Sequence, residues 1–467
     1  MKKAAGSSGQ GGREATVAVV GLGSSGEAAA RLALAKGATV HVTDESTGPA
    51  VTACGARLRD LGARVGLGQH DVEAWAEAET IVVSPGIPPD APVLEALRSR
   101  GIGWISEPEF AFRFFRSPLI AITGTNGKTT TAAFCAHLLR EAGVNVALGG
   151  NIGSDFGPPA SEIALMDPPP DWIVLELSSF QLADIDTLTP DIGVLTNLGA
   201  DHLDRYDSIE AYHADKRRLV DAGTDKTLWV LNEDDPAVME MAEGASGDRW
   251  GFSLNTVLSP GAYLSGDTLT VDFGQAPYSV ASRSSLRLLG AHNVANALAA
   301  ILAACGTGTP LDLIRPAVAT FRPMPHRLEL VAERSGVTWV NDSKATNVSA
   351  TAGALGSLEG PIVLLLGGKD KGEDFRGLIP ALLEKVRVVV AYGEAGRRIE
   401  EEIESDVDVR HVSRSAGSFD DAVGIASELV LSGETLLLSP ACSSYDQFAD
   451  YTERGERFRE LAKGASS

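Results

Sequence analysis

The chain has 467 residues, of which 44% are hydrophobic, and its formal net charge is −22. This length and apolar content predict a globular protein of about three domains. The acidic balance argues against a broad basic face, so we expect no nucleic-acid partner.

No apolar run reaches the ~18 residues that a membrane span needs. Gly, Ser and Gln follow Lys2 and Lys3, where a signal peptide would have an apolar core. We therefore expect a cytoplasmic protein without a membrane partner, and a disordered tail over residues 1–14. The four cysteines show no C-x-x-C spacing, which predicts neither a zinc site nor a disulfide framework.

A β-α-β unit follows the tail. Residues 16–20 and 39–42 are strand-like, residues 27–36 are helical, and the motif GLGSSG lies between them at residues 21–26. With Asp44, this spacing matches the dinucleotide-binding fingerprint. The motif alone leaves open an NAD cofactor or another pyrophosphate, such as a UDP-sugar. A second strand at residues 80–83 ends in SPGIPP, which predicts a loop at a ligand-binding strand end.

The motif TGTNGKTT at residues 123–130 predicts a nucleotide-triphosphate loop. An apolar strand at residues 119–122 precedes it and an amphipathic segment at residues 132–139 follows it. Backbone N–H groups at such a helix start favour an anion, while the lysine and hydroxyl add phosphate and Mg²⁺ contacts. Only the second half fits the general P-loop pattern, because Ile122 stands five positions before Gly127.

Further strands at residues 172–175, 192–196 and 227–231 predict a second doubly wound sheet around this loop. Glu176 and the cluster Asp201, His202 and Asp204 follow two of these strands, where they are candidate Mg²⁺ ligands. Lys216, on a predicted helix over residues 209–220, resembles an ordinary solvated lysine by composition. Residues 248–287 predict an antiparallel extension, and residues 290–304 predict a helix.

The segment at residues 322–327 contains two prolines, Pro323 and Pro325, and they predict a domain hinge. Strands at residues 338–340, 362–366, 386–391 and 435–438 then predict a third α/β domain. The polar motif NDSKATN at residues 341–347 follows the first of these strands. We predict domains at residues 15–116, 117–327 and 328–467.

The motifs GTNGKT (124–129), ELSSFQL (176–182), DHLD (201–204), GAHNVAN (290–296), HR (326–327) and NDSKATN (341–347) together resemble the Mur ligase family. The resemblance spans residues 16–460. It implies a Rossmann-like N-terminal domain, a central P-loop ATPase-like domain and a Rossmann-like C-terminal domain. NDSKATN and SPACSSYDQF (439–448) resemble the members that add D-glutamate.

The resemblance implies an ATP-dependent amide ligase of peptidoglycan synthesis that works through an acyl phosphate. Its substrates would be UDP-N-acetylmuramoyl-L-alanine and D-glutamate, and its cofactors would be ATP and two Mg²⁺ ions. The protein would be a monomer. Catalytic residues would be Lys128, Glu176, His202 and Lys216. Thr129, Glu176, His202 and a carbamylated Lys216 would hold the metal ions.

The resemblance also implies three sets of binding residues. ATP would contact Gly124, Thr125, Asn126, Gly127, Lys128, Thr129, Thr130, Asn293, Asn296, Arg327 and Asp342. The UDP-sugar would contact Gly23, Ser24, Ser25, Asp44, Gly86 and Asn151. D-Glutamate would contact Lys344, Thr346, Lys371, Ser444, Tyr445 and Tyr451. The chain departs from the family pattern after Asp44, where Glu45 and Ser46 are not basic, and at Tyr451, where we expect Phe.

Four alternatives remain open from the sequence. A folylpolyglutamate-type ligase, or a Mur ligase for another amino acid, shares the loop and the chemistry. The former would not need the N-terminal glycine fingerprint. An NAD-dependent oxidoreductase would use residues 21–44 but leaves Lys128 and residues 342–347 unexplained. A non-catalytic ATP-sensing module would release no phosphate.

Overall fold

The computed structural model describes residues 15–464 except 71, 73, 74, 76, 77, 154, 155, 200–204, 289, 323, 324, 359 and 405–411. The predicted tail, His202 with its neighbouring aspartates, and two residues of the predicted hinge lie outside the described residues. The described chain forms a mixed α/β protein with three sheets, as the sequence predicts. None of its described helices is both long enough and apolar enough to cross a membrane.

The first sheet is parallel, with strand order β3-β2-β1-β4-β5. Its strands are β1 (Thr16–Val20), β2 (Thr39–Asp44), β3 (Arg64–Leu67), β4 (Thr80–Val83) and β5 (Ile105–Ser106). Its helices are α1 (Ser24–Ala35), α2 (Pro49–Asp60), α3 (Pro92–Ser99) and α4 (Glu107–Phe112). The order reverses between β2 and β4 around the central β1, so the carboxyl ends of β1 and β4 flank one ligand-binding crevice.

The second sheet has nine strands in the order β14-β13-β12-β11-β10-β9-β6-β8-β7. Its strands are β6 (Leu119–Thr123), β7 (Val146–Gly150), β8 (Trp172–Glu176), β9 (Ile192–Leu195), β10 (Leu228–Asn232), β11 (Asp248–Ser253), β12 (Gly261–Ser265), β13 (Thr268–Asp272) and β14 (Tyr278–Ser282). Its helices are α5 (Lys128–Glu141), α6 (Ala160–Ile163), α7 (Ser179–Leu182), α8 (Ile209–Asp221) and α9 (Pro236–Met241). Every residue of β6 is buried, as a central parallel strand covered on both faces requires.

The predicted antiparallel extension over residues 248–287 is wrong for its first two strands. β11 pairs parallel with β10, and β12 pairs parallel with β11. The chain first turns antiparallel at β13, which pairs with β12. An alternating apolar pattern predicts a half-buried strand, but it carries no information about strand direction.

The third sheet has the order β15-β16-β20-β17-β18-β19. Its strands are β15 (Glu329–Arg334), β16 (Val337–Asn341), β17 (Ile362–Gly367), β18 (Val386–Tyr392), β19 (Val412–Ala416) and β20 (Thr435–Leu438). The helices after α9 are α10 (Ala291–Gly306), α11 (Leu311–Val318), α12 (Val348–Ser357), α13 (Ile379–Lys385), α14 (Gly396–Glu404), α15 (Phe419–Leu429) and α16 (Tyr451–Lys463). Only the edge pair β15 and β16 is antiparallel.

The chain divides into two compact units. The first unit consists of the chain up to Val280 together with Ala295–Ala317. The second unit consists of Ala281–Val294 together with the chain from Val318 onward. The first unit therefore holds the first sheet and most of the second, and the second unit holds the third sheet together with residues 281–294 and 318–327 of the predicted second domain.

Inside the first unit, α4 joins the first two domains. Its buried Glu109 accepts hydrogen bonds from the backbone N–H groups of Asp186, Thr187 and Leu188, at 2.8–3.0 Å, and from the Thr187 hydroxyl. Glu107 accepts one from the N–H of Ser161 at 2.5 Å. One hydrophobic cluster includes residues of both sheets. The two domains are thus joined by a shared apolar core and by buried carboxylates.

The two carboxylates differ in how well their charge is satisfied. Glu109 has four donors, whereas one oxygen of Glu107 is buried without a hydrogen-bond partner among the described residues. Burial raises the pKa of Glu107 from an ordinary value of 4.5 to about 7. The folded chain therefore binds an extra proton between these two values, and its stability falls as the pH rises through that window.

We predict that Glu107→Gln stabilises the protein more at pH 8 than at pH 5, because the amide avoids a buried charge. The unfolding free energy gained by the substitution should be roughly 1–3 kcal/mol larger at pH 8 than at pH 5. Urea denaturation at both pH values measures it. The exposed Glu95→Gln is the control, with an expected effect below about 0.5 kcal/mol. A Glu107→Gln effect that does not change with pH would contradict the assignment.

Candidate active site

The turn between β6 and α5 is possible only because two of its residues are glycine. Gly124 and Gly127 have φ values of 146° and 80°, a region that side chains disfavour. A Cβ at Gly124 would lie 2.0 Å from Thr196 Oγ1, and one at Gly127 would lie 2.2 Å from Asn296 Oδ1. Helix α5 then begins at Lys128, four residues before the predicted segment. Lys128, Thr129 and Thr130 therefore occupy its first turn.

The carboxyl end of β9 holds the outer part of this loop in place. Asn197 accepts hydrogen bonds from Thr125 N and Asn126 N, both at 2.8 Å, through its backbone and side-chain oxygens respectively. The hydroxyl of Thr196 donates to Asn126 O at 2.6 Å. The sequence analysis did not single out Thr196 or Asn197, although their position after an apolar strand is the available signal.

Two lysines converge on the same carbonyl oxygen of the loop. Lys128 Nζ donates to Gly124 O at 3.1 Å and to Thr125 O at 2.7 Å. Lys216 Nζ donates to Gly124 O at 2.8 Å. Lys216 is 1% exposed, and its ammonium lies 4.5 Å from the ring centroid of Tyr212. The interpretation of Lys216 as a solvated residue, made from composition, is therefore wrong: α8 brings it to the phosphate loop.

Glu176 lies at the end of β8, directly beside the phosphate-loop strand. In the sheet register it pairs with Ile122, and it is 2% exposed. Asn151 donates its backbone N–H to Glu176 O at 2.9 Å and its side-chain amide to Glu176 Oε1 at 3.4 Å. Asn151, predicted for the UDP-sugar, thus adjoins a predicted metal ligand in the central domain.

The chemistry of these side chains suits Mg²⁺, a hard cation that takes oxygen ligands and keeps several waters. The loop offers the hydroxyl of Thr129 in the first turn of α5, and the adjacent strand offers the Glu176 carboxylate. Among the described residues there is no cluster of three or more His, Cys, Asp or Glu that could hold a metal ion.

The glycine motif of the first domain leads into the exposed N-terminus of α1. Gly21 has φ 91°, and a Cβ at Gly26 would lie 1.8 Å from Gly21 O. Helix α1 begins at Ser24, and no side chain caps its first N–H groups. Asp44 closes the loop by accepting hydrogen bonds from Leu22 N at 2.6 Å and Ser46 N at 2.7 Å.

Gly23, Ser24 and Ser25 therefore occupy a helix start whose free N–H groups suit an anion such as a pyrophosphate. The hydroxyl of Ser84, at the end of β4, donates to Gly21 O at 3.1 Å. This contact places the Ser84–Pro85–Gly86 turn beside the glycine motif.

A cavity of about 140 Å³ lies between the first and second domains. The first domain contributes the turn that carries Ser84 and Ile87, and the second contributes Phe180, Arg205 and Tyr206. Arg205 lies over the Phe180 ring at 4.1 Å and donates to Ile87 O at 3.1 Å.

In the second unit, the buried Asp342 accepts hydrogen bonds from Leu328 N at 3.2 Å and from the Ser439 hydroxyl at 2.8 Å. Burial raises its pKa to about 7, while the hydrogen bond from Ser439 and the nearby charge of Arg327 act in the opposite direction. Arg327 and Asp342, both predicted for ATP, are therefore close to each other. Asn293 lies in the second unit and Asn296 in the part of α10 that belongs to the first unit, and both are buried.

The residues predicted for D-glutamate also gather in this unit. Lys371 Nζ donates to Thr346 O at 2.6 Å, and Lys344 Nζ lies 5.7 Å from the ring centroid of Tyr451. Ser444 is buried, whereas Tyr445 is 70% exposed. The structure thus brings Lys344, Thr346, Lys371 and Tyr451 into two contacting pairs.

Comparison with known proteins agrees with this geometry. The MurD-like N-terminal domain of Mur ligases matches residues 15–106, the Mur ligase middle domain residues 122–304, and the Mur ligase, glutamate ligase domain residues 326–442. A UDP-N-acetylmuramoylalanine–D-glutamate ligase from Acidobacterium capsulatum is 41% identical, over 95% of this chain and 95% of the relative. A ligase of the same name from Koribacter versatilis is 38% identical, over 96% of this chain and 97% of the relative.

Solved structures support the fold. A pseudomurein peptide ligase from Methanothermus fervidus aligns with TM-score 0.55 at 20% identity, over 91% of this chain and 96% of that one. A UDP-N-acetylmuramate-alanine ligase from Thermotoga maritima aligns with TM-score 0.53 at 19% identity, over 97% and 100%.

We predict that Gly127→Ala weakens ATP binding at least about tenfold, because its Cβ forces either the loop or Asn296 to move. Isothermal titration with ATP and Mg²⁺ measures this. The matched control is Gly143→Ala, just after α5, where φ is 86° but a Cβ meets nothing within 4 Å. The control should lose about 1 kcal/mol of stability and keep its ATP affinity. Equal ATP affinity in Gly127→Ala and wild type would disprove the role of the turn.

Proposed function

The chain belongs to the Mur ligase family, and from this premise we propose that it joins D-glutamate to UDP-N-acetylmuramoyl-L-alanine at the expense of ATP, releasing ADP and phosphate. This is a step of peptidoglycan synthesis, and we place it in the cytoplasm with the protein acting as a monomer. The observation that carries the proposal is the convergence of Lys128 and Lys216 on the Gly124 carbonyl of the phosphate loop. An oxidoreductase would have no use for this arrangement.

The chemical problem is that a carboxylate is a poor electrophile. The alanine carboxylate first attacks the γ-phosphorus of ATP, forming an acyl phosphate and ADP. The amine of D-glutamate then attacks the acyl carbon, the C–O bond to phosphate breaks, and the amine loses a proton as the amide forms. Both partners of the first step are anions, so positive charge at the phosphate loop lowers the barrier.

Lys128 supplies that charge at the first turn of α5, where the backbone N–H groups also point toward an anion. Thr125 and Asn126 donate their N–H groups to Asn197, and these two hydrogen bonds fix the shape of the loop before the nucleotide binds. Gly124, Gly127, Thr129 and Thr130 complete the loop. Asn296 lies against Gly127, and we assign Asn293, Arg327 and Asp342 to the same nucleotide.

Two Mg²⁺ ions would neutralise phosphate charge and orient the reacting oxygens. We assign Thr129 and Glu176 as ligands on the basis of their positions, and His202 on the basis of the family resemblance. Lys216 enters as a carbamate: its amine adds to CO₂, releases a proton and becomes an anion. The carbamate nitrogen would keep one N–H for the hydrogen bond to Gly124 O, and its oxygens would be available as metal ligands.

The remaining assignments follow the domains. Gly23, Ser24, Ser25, Asp44 and Gly86 would hold the UDP part of the acceptor in the first domain. Asn151 would meet the part of the acceptor nearest Glu176. Lys344, Thr346, Lys371, Ser444, Tyr445 and Tyr451 would hold D-glutamate.

We predict that phosphate release needs ATP, Mg²⁺, UDP-N-acetylmuramoyl-L-alanine and D-glutamate together. L-Glutamate, L-alanine and a diamino acid should each give less than about a hundredth of the rate, because a misplaced amine loses the benefit of orientation. Lys128→Ala should abolish turnover, and the exposed Lys226→Ala should not change it. Preference for another amino acid would assign a different Mur ligase, and glutamate addition to a folate would assign the folylpolyglutamate class.

We predict that Lys216→Ala is nearly inactive and is partly rescued by formate, because a small carboxylate can replace the carbamate. Its rate should fall at least about a hundredfold, in line with loss of a group that stabilises transition-state charge. Phosphate release with 0–500 mM formate, about the range used for weak ligands, measures rescue. Lys226→Ala with formate controls for salt effects. Full activity in Lys216→Ala without formate would exclude the carbamate.

A further inference from the structure

Arg454 is a fully buried arginine in the second turn of α16. It is 0% exposed, and its partners are oxygens of three residues. Nε donates to Ser343 Oγ at 2.9 Å, and one terminal nitrogen donates to Ser343 O at 2.9 Å and Cys442 O at 3.1 Å. The other terminal nitrogen donates to Ser443 O at 3.3 Å.

This guanidinium is a buried positive charge. Among the described residues, no Asp or Glu forms an ion pair with Arg454, although Arg457 and Arg459 on the same helix both have one. Burying a cation without a counter-ion is costly unless its donors are satisfied. Four hydrogen bonds to backbone and hydroxyl oxygens meet that requirement and leave net positive charge at this point.

The surrounding backbone is built around this side chain. Gly368 has φ 131°, and a Cβ there would lie 3.0 Å from a terminal nitrogen of Arg454 and 2.3 Å from Ser443 O. Lys369 N donates to Ser443 O at 2.8 Å, which joins the two segments by a β-bridge. Ser343 Oγ in turn donates to Tyr451 O at 2.8 Å.

Each segment that Arg454 holds carries residues assigned to D-glutamate. Ser343 immediately precedes Lys344, and Cys442 and Ser443 immediately precede Ser444 and Tyr445. Lys371 follows the Gly368–Lys369 segment, and Tyr451 lies one helical turn before Arg454. One guanidinium thus joins the segments at Ser343 and Cys442–Ser443, and the second of these is bonded in turn to the Gly368–Lys369 segment.

We propose that Arg454 is a positioning residue for the amino-acid substrate, an inference that rests on the proposed function. It holds the segments at Ser343 and Cys442–Ser443 in register and contributes a buried positive charge that favours the carboxylates of D-glutamate. Four of its five N–H donors bond protein oxygens and the side chain is 0% exposed, so it acts through the residues it holds rather than by touching the substrate.

The test is whether a substitution at Arg454 raises the KM for D-glutamate without raising the KM values for ATP and the UDP-sugar. Arg454→Lys keeps the charge but cannot make all four hydrogen bonds to Ser343, Cys442 and Ser443, so the KM for D-glutamate should rise at least about tenfold, as expected for the loss of charge-assisted hydrogen bonds. The KM values for ATP and for the UDP-sugar should stay within about twofold of wild type, a change small in free energy. Arg457→Lys, on the exposed side of the same helix, should leave all three constants unchanged.

Two further variants keep the proposal testable if Arg454→Lys folds poorly. Ser343→Ala removes the hydroxyl that accepts a hydrogen bond from Arg454 and donates one to Tyr451 O. It should raise the KM for D-glutamate selectively. Arg454→Ala with millimolar guanidinium should regain D-glutamate affinity in proportion to added guanidinium, which a general loss of packing would not do.

The outcomes distinguish a failure of the proposed function from a failure of the positioning role of Arg454. If wild type does not use D-glutamate, the proposed function fails. If wild type uses D-glutamate but the variants raise all three KM values equally, or raise none, the positioning role of Arg454 is overturned.

Discussion

The absence of two side chains, at Gly124 and Gly127, is the constraint on which the central domain depends. The loop backbone passes so close to Thr196 and Asn296 that no Cβ fits. This closeness sets the start of α5 and the direction of its first N–H groups. It also lets Lys128 and Lys216 reach one carbonyl oxygen. Charge, helix dipole and loop shape at the phosphate site therefore follow from one steric requirement.

Parallel sheets place the chemistry of this protein at strand ends. Glu176 follows β8, the phosphate loop follows β6, and Thr196 and Asn197 follow β9, three adjacent strands of one sheet. Because these strands run in the same direction, residues far apart in sequence reach one edge. Motifs that are weak individually, such as an acid after a strand, become informative when the topology assigns them to neighbouring strands.

The apolar runs predict the buried strands well. Thr16–Val20, Thr80–Val83 and Thr435–Leu438 have the predicted bounds, because a strand covered on both faces is continuously apolar. Helix starts were placed late at α1 and α5, whose first turns consist of small or polar residues that interact with the loop and not with the core. Lys216 and Arg454 could not be assigned from composition, since only tertiary contacts distinguish a buried cation from a solvated one.

The buried carboxylate of Glu109 has a consequence for the speed of the first chemical step. Its four hydrogen bonds tie α4 of the first domain to residues 186–188 of the second. The glycine motif and the phosphate loop therefore belong to one continuous frame. Two reactants bound to a common frame lose their relative translational freedom at binding, and this entropy is no longer part of the activation barrier. An acidic side chain remote from both loops thereby raises the effective concentration of one reactant at the other.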